Sequence, residues 1–168
     1  MLNNEITKDP LFEDLRGIVE NLGFVLCDAK KSMQGKTIQI SVAIMNPSEE
    51  TGIDDCAKVH NTILPRLQMK YGRDELYVEV STPGLQRNLR DVYEFHVFKG
   101  RRCRVYSLGA SAWISGTIGE VGDGFVTLLD FENEDSKEKG GEKRFEFTDI
   151  QKAKLDYRWE DVKNVRVK

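Results

Sequence analysis

Leu76-Tyr77-Val78-Glu79-Val80-Ser81-Thr82-Pro83-Gly84-Leu85-Gln86-Arg87-Asn88-Leu89 is the stretch that divides this chain. Its first five residues alternate apolar and polar, as a half-buried strand does. The remainder is polar and turn-rich, and Pro83-Gly84 has the chemistry of a type II turn. On either side of it the sequence changes texture. The division that follows is an N-terminal α/β domain over 1–89 and a C-terminal β-barrel domain over 90–168.

Working back from that stretch, Cys56, Ala57, His60, Ile63, Leu64 and Leu67 repeat at helical spacing, and Thr51 and Asp54 have capping-box spacing ahead of them. Pro65 lies inside this stripe and predicts a kink or an end near Leu64, because proline removes a backbone donor and crowds the preceding turn. Before a polar turn at 46–50, Ile38, Ile40, Val42 and Ile44 alternate with polar or small residues, giving a strand over 37–44. A short link at 32–36 joins it to a strand over 24–30 as a hairpin. Earlier still, Asp9-Pro10 starts a helix whose stripe is Leu11, Phe12, Leu15, Ile18, Val19 and Leu22, and Gly23 stops it. The order is αββαβ, a sheet with two helices on one face.

Working forward, 91–98 reads as a short helix, and 101–107, 112–119, 124–131, 143–147 and 151–156 read as short strands between glycine or charged turns. Alternation points Cys103, Val105, Ile114, Ile118, Phe145, Phe147, Ala153 and Leu155 inward. With no helix long enough to cover them, these strands need closure, as in a small SH3-like or Sm-like barrel. The charged segment 132–142 reads as a mobile hairpin tip. The fold class is therefore α+β.

Composition is that of a globular protein, with 39% hydrophobic and 32% charged residues. No run of residues is apolar enough to span a membrane, and the start of the chain lacks the pattern of a secretory signal, so a cytoplasmic location is expected. Cys27, Cys56 and Cys103 are odd in number and widely separated, which fits buried thiols in a reducing compartment. A net charge of -3 excludes a general nucleic-acid binder, so any RNA contact must be local.

No phosphate-binding glycine loop occurs, and the histidines and cysteines are too scattered for a metal site. No cofactor is expected. His60 sits on a helix stripe and His96 beside Tyr93, Phe95 and Phe98; neither has a visible partner for nucleophilic catalysis. Asp54-Asp55 fits the field of a helix start better than acid–base chemistry. An enzyme built on either histidine would need a concave pocket with convergent polar groups.

The features left for binding are the loop residues Ser81, Thr82, Pro83, Gly84 and Arg87, followed by Lys99, Arg102 and Arg104. Hydroxyls and backbone amides beside an arginine suit phosphate or a protein partner, and a fixed joint between domains would explain the loop equally well. Alternation puts Arg102, Arg104 and Tyr106 on one outward stripe, a combination that suits RNA. A second basic bias lies at the end, where Lys152, Lys154, Arg158, Lys163, Arg166 and Lys168 outnumber Asp156, Glu160 and Asp161.

Together, Gly23-Phe24, Asp54-Asp55-Cys56-Ala57, the run from Tyr77 to Leu85, Arg87 and Phe98-Lys99-Gly100 resemble the RimP family of bacterial ribosome maturation factors. The resemblance implies an N-terminal αββαβ domain, a C-terminal Sm-like barrel and no enzymatic activity. It also implies a role in small-subunit assembly, through immature 30S particles, 16S rRNA and a small-subunit protein near the decoding region, S12. The protein is expected to act as a monomer. Thr82, Gln86 and Asn88 depart from the family's usual SSPGxDRPL loop. Thr82 keeps a hydroxyl, Gln86 removes a carboxylate, and Asn88 is expected to loosen the backbone. A stand-alone RNA-binding barrel is the competing reading.

Overall fold

The computed structural model describes residues 2–48 and 51–156. Arg158, Lys163, Arg166 and Lys168 of the basic end, with Glu160 and Asp161, lie outside the described residues. By packing, the chain forms two compact units: Glu5–Pro83, and Gly84 onward together with the start of the chain through Asn4. Residues 84–89, placed in the first domain by the sequence division, join the second unit, because Leu89 is buried and pairs with Ala153.

The first unit has the αββαβ order. Helix α1 (Pro10–Asn21) is capped by the Asp9 carboxylate, which accepts from the Leu11 N–H at 2.9 Å, and it buries Leu11, Phe12, Leu15 and Val19. Strands β1 (Val25–Gln34) and β2 (Thr37–Met45) form an antiparallel hairpin, and β3 (Leu76–Ser81) lies parallel to β2. The hairpin link is shorter than 32–36: only Gly35 and Lys36 turn, with Gly35 at φ +62°. A parallel neighbour cannot be reached by a tight turn, and α2 (Ile53–Tyr71) makes the crossover.

Helix α2 corrects three expectations. It runs through Pro65 to Tyr71, because Ile63 and Leu67 are fully buried on either side and hold the helix to the sheet across the lost donor, while Pro65 itself faces solvent. Its buried line is Val59, Ile63 and Leu67; Cys56 and His60 are half-buried and Ala57 is exposed. The cap also falls one residue later than the Thr51/Asp54 spacing. The Asp55 carboxylate accepts from the Gly52 N–H at 3.0 Å, while the Thr51 hydroxyl takes the Asn46 N–H at 2.8 Å.

In the second unit the strands described pair antiparallel, and an isolated parallel bridge joins Asn3 to Asp91. The strands β4 (Asn88–Leu89), β5 (Arg102–Ser107), β6 (Ala112–Gly122), β7 (Phe125–Asn133), β8 (Lys139–Glu146) and β9 (Ile150–Leu155) lie in the order β4-β9-β5-β6-β7-β8. Helix α3 (Val92–Val97) starts at Asp91 and contributes the buried Phe95, with Phe98 buried just beyond it. Cys103, Val105, Ile114, Ile118, Phe145, Ala153 and Leu155 are buried as alternation requires. Phe147 departs from it: it starts a 3-10 turn, is half-buried, and lies 5.5 Å from the Phe95 ring. The expected tip at 132–142 is largely strand, leaving a tight turn whose Asp135 and Ser136 N–H groups donate to the buried Asn133 side chain at 2.9 and 3.0 Å.

Candidate functional site

Ser81 closes β3, and Ser81 and Thr82 are exposed, with Pro83 half-buried; all three belong to the first unit. Gly84 opens the second unit at φ +81°, the value a type II turn needs at its third residue. Leu85 beside it is 54% exposed, an apolar side chain displayed to solvent. Asn88 is not loosened, since it lies in β4 opposite Lys154 and the Arg87 carbonyl accepts from the Leu155 N–H at 2.8 Å.

Arg87 has a partner within the fold. Its Nε donates to Glu94 Oε2 at 2.6 Å, and the Glu94 side chain is only 2% exposed. The other Glu94 oxygen accepts from the backbone N–H groups of Arg90 at 2.9 Å and Asp91 at 3.2 Å. A carboxylate that deeply buried must have its charge answered, and Arg87 answers it. The side chain thus anchors the chain leaving the loop to the start of α3.

Lys99 is exposed in the turn after α3, where the Gly100 N–H donates to the Ile118 carbonyl at 2.8 Å. Strand β5 then presents Arg102, Arg104 and Tyr106 opposite its buried Cys103 and Val105. The two arginines differ. Arg104 makes a bidentate pair with Glu134, Nε to Oε2 at 2.7 Å and Nη2 to Oε1 at 2.8 Å, and its guanidinium lies 4.8 Å from the centre of the Trp113 ring. The hydrogen bond to Glu134 raises the Arg104 pKa above its ordinary value. Arg102 Nε, by contrast, is buried and has no hydrogen-bond partner among the described residues.

Strand register extends this face. Tyr106 pairs with Trp113 on β6 and Lys152 on β9, and Arg104 pairs with Lys154. The Tyr106 and Trp113 rings meet edge to face at 5.7 Å. Trp113 was missed in the sequence although a signal was present, because inward Ala112 and Ile114 force the residue between them outward. Glu134 carried no such signal, being distant in sequence from the arginine it meets.

The other candidates stay apart. No group of His, Cys, Asp or Glu suited to a metal occurs among the described residues. His60 is half-buried on α2. His96 is exposed, against its expected aromatic packing, and lines an open cleft of about 660 Å³ with Asn4, Asp123 and Thr148, none of which is hydrogen-bonded to it. Cys27 and Cys103 are buried, and burial pushes the Cys103 thiol up to about 12; Cys56 is half-buried, not in the core.

The architecture defines the class: a mixed α+β protein with an N-terminal α/β region and a C-terminal all-β sheet. Residues 15–86 match the family model of the RimP N-terminal domain, from the buried Leu15 of α1 to the exposed turn past β3. That match supports membership of the RimP family, a family of ribosome maturation factors.

Proposed function

We propose that this protein is a non-enzymatic ribosome maturation factor that binds the immature small (30S) ribosomal subunit and assists its assembly. The match of residues 15–86 to the RimP N-terminal domain carries this reading. Its contacts are the turn at Ser81, Thr82, Pro83 and Gly84, with Lys99 and the outward side chains of β5. Arg87 serves by positioning that turn through Glu94. The partners on this reading are 16S rRNA and the small-subunit protein S12, met in the cytoplasm by a monomer. No helix among the described residues is long and apolar enough to cross a membrane. The second unit acts as an SH3/Sm-like barrel: its inner face is buried, the short α3 packs on β4 and β6, and register shifts bend the β6–β7 pair.

Co-sedimentation with immature small subunits, mature small subunits and large subunits tests the proposal. Selective pelleting with small-subunit particles at moderate salt is expected, and a variant carrying both R102A and R104A should pellet less. Equal binding to all particles, with a steep salt dependence on arbitrary RNA, would instead favour a stand-alone RNA-binding barrel.

A further inference from the structure

The outer face of β9-β5-β6 combines three features that the assembly role by itself does not explain. The first is the edge-to-face pair of Tyr106 and Trp113, an aromatic surface on the side of the sheet opposite the core. The second is a row of cations beside it, with Lys152 opposite Tyr106, Lys154 opposite Arg104, and Arg102 one outward position away on β5. The third is the unequal state of the two arginines. Arg102 keeps a buried Nε without a hydrogen bond among the described residues, whereas the planar fork of Arg104 is filled by both oxygens of Glu134.

A carboxylate held bidentately occupies the same two donors that a phosphate would take. Glu134 lies in the turn between β7 and β8, and its side chain is 34% exposed, so water and ligand can reach the pair. We propose that this face is a platform for unpaired RNA, on which Arg102 takes one phosphate, Tyr106 and Trp113 receive a base, and Glu134 occupies the Arg104 phosphate site until RNA displaces it. The proposal rests on the reading that the protein meets ribosomal RNA, and it names the part of that RNA it would recognise. Single-stranded segments fit because their bases are free to stack on aromatic rings, whereas the bases of a duplex are not. An acidic peptide would answer the cations, but its charged side chains carry no aromatic ring to stack on Tyr106 and Trp113. Glu134 acts here as an internal competitor, so removing its charge should strengthen binding, an effect opposite to that of losing an ordinary structural ion pair.

The test is binding of a single-stranded oligoribonucleotide to the full chain, followed by fluorescence of Trp113 in a Trp159→Phe background, beside the co-sedimentation assay. Glu134→Gln should tighten oligonucleotide binding by about 3-fold to 10-fold, and steepen its salt dependence by about one phosphate's worth. Arg102→Ala should weaken binding by about 5-fold or more, as expected for loss of one charged phosphate contact. Melting curves of both variants establish that each is folded. Weaker binding by Glu134→Gln would overturn the competitor role and make Glu134 a positioning residue for Arg104. Absence of oligonucleotide binding and quenching, with subunit pelleting that still depends on Arg102, would make the face a protein contact; the platform would fall and the maturation role would stand. Oligonucleotide binding with the expected responses but no selective pelleting would keep the platform and remove the maturation role.

Discussion

Arg87 and Arg102 lie in neighbouring regions of the second unit and look alike in sequence, each following a turn that contains glycine. Their surroundings are opposite. Arg87 meets Glu94, which is buried and already receives two backbone donors, so the arginine completes a charge balance inside the fold. Arg102 meets no hydrogen-bonding group through its Nε among the described residues. A basic residue near an exposed loop can therefore be part of the scaffold or part of the surface that meets a partner, and what its guanidinium meets inside the fold tells them apart.

Substituting the two arginines separately sharpens this contrast most. Arg87→Ala leaves the Glu94 carboxylate buried without its counter-charge, and should cost about 3 kcal/mol of unfolding free energy, the range for breaking a buried pair. Arg102→Ala removes a side chain whose buried Nε has no hydrogen bond among the described residues, so stability should hold or rise by up to about 1 kcal/mol. Urea unfolding of both variants reads the difference. Equal losses would mean that Arg102 has a structural role as large as that of Arg87, and the contrast would be wrong.

Gly84 offers a second, smaller cut, between the turn and its anchor. A Cβ at Gly84 meets nothing within 4 Å, so the only penalty of Gly84→Ala is the backbone strain of φ +81°. That strain should cost about 1 kcal/mol. The Arg87–Glu94 pair is untouched by it. Reduced pelleting with small subunits by folded Gly84→Ala would assign binding to the turn itself, while wild-type pelleting would place the contact on β5.

Much of the architecture was legible because it depends on neighbours in the chain. Ile38, Ile40, Val42 and Ile44 alternate in sequence, and the burial of the last three follows from period-two geometry; the cap of α1 by Asp9 likewise follows from its place just before Pro10. What escaped depends on distant partners. Asn88-Leu89 reads as connector because its strand partner, Lys154-Ala153, arrives near the end of the described chain. Phe147 breaks the alternation because Asp149, in the same 3-10 turn, is drawn away to the Gly109 N–H at 2.7 Å. The site divides in the same way. Outward placement of Arg102, Arg104 and Tyr106 follows from the strand, but the carboxylates that hold Arg87 and Arg104 are set by tertiary packing and carry no local pattern.

The smallest effect comes from the first unit, where Arg66 on α2 pairs with Asp14 on α1. It supplies the exposed counterpart of the Arg87–Glu94 pair, since the Arg66 side chain is 56% exposed. The hydrogen bond from Arg66 holds the Asp14 carboxyl below its ordinary value of 3.8. A carboxyl whose pKa is lowered by folding adds stability at every pH above its unfolded value, and that stability is lost as pH falls through the lower folded value. Asp14→Asn should therefore be slightly less stable than the parent near neutral pH, and the gap should close only below pH 3.8, as Asp14 protonates in the parent. Salt should narrow the same gap, because an exposed pair is screened. The Arg87–Glu94 pair, shielded from solvent, should keep its contribution in the same salt. If salt weakened both pairs equally, burial would not be what separates the scaffold arginine from the surface ones.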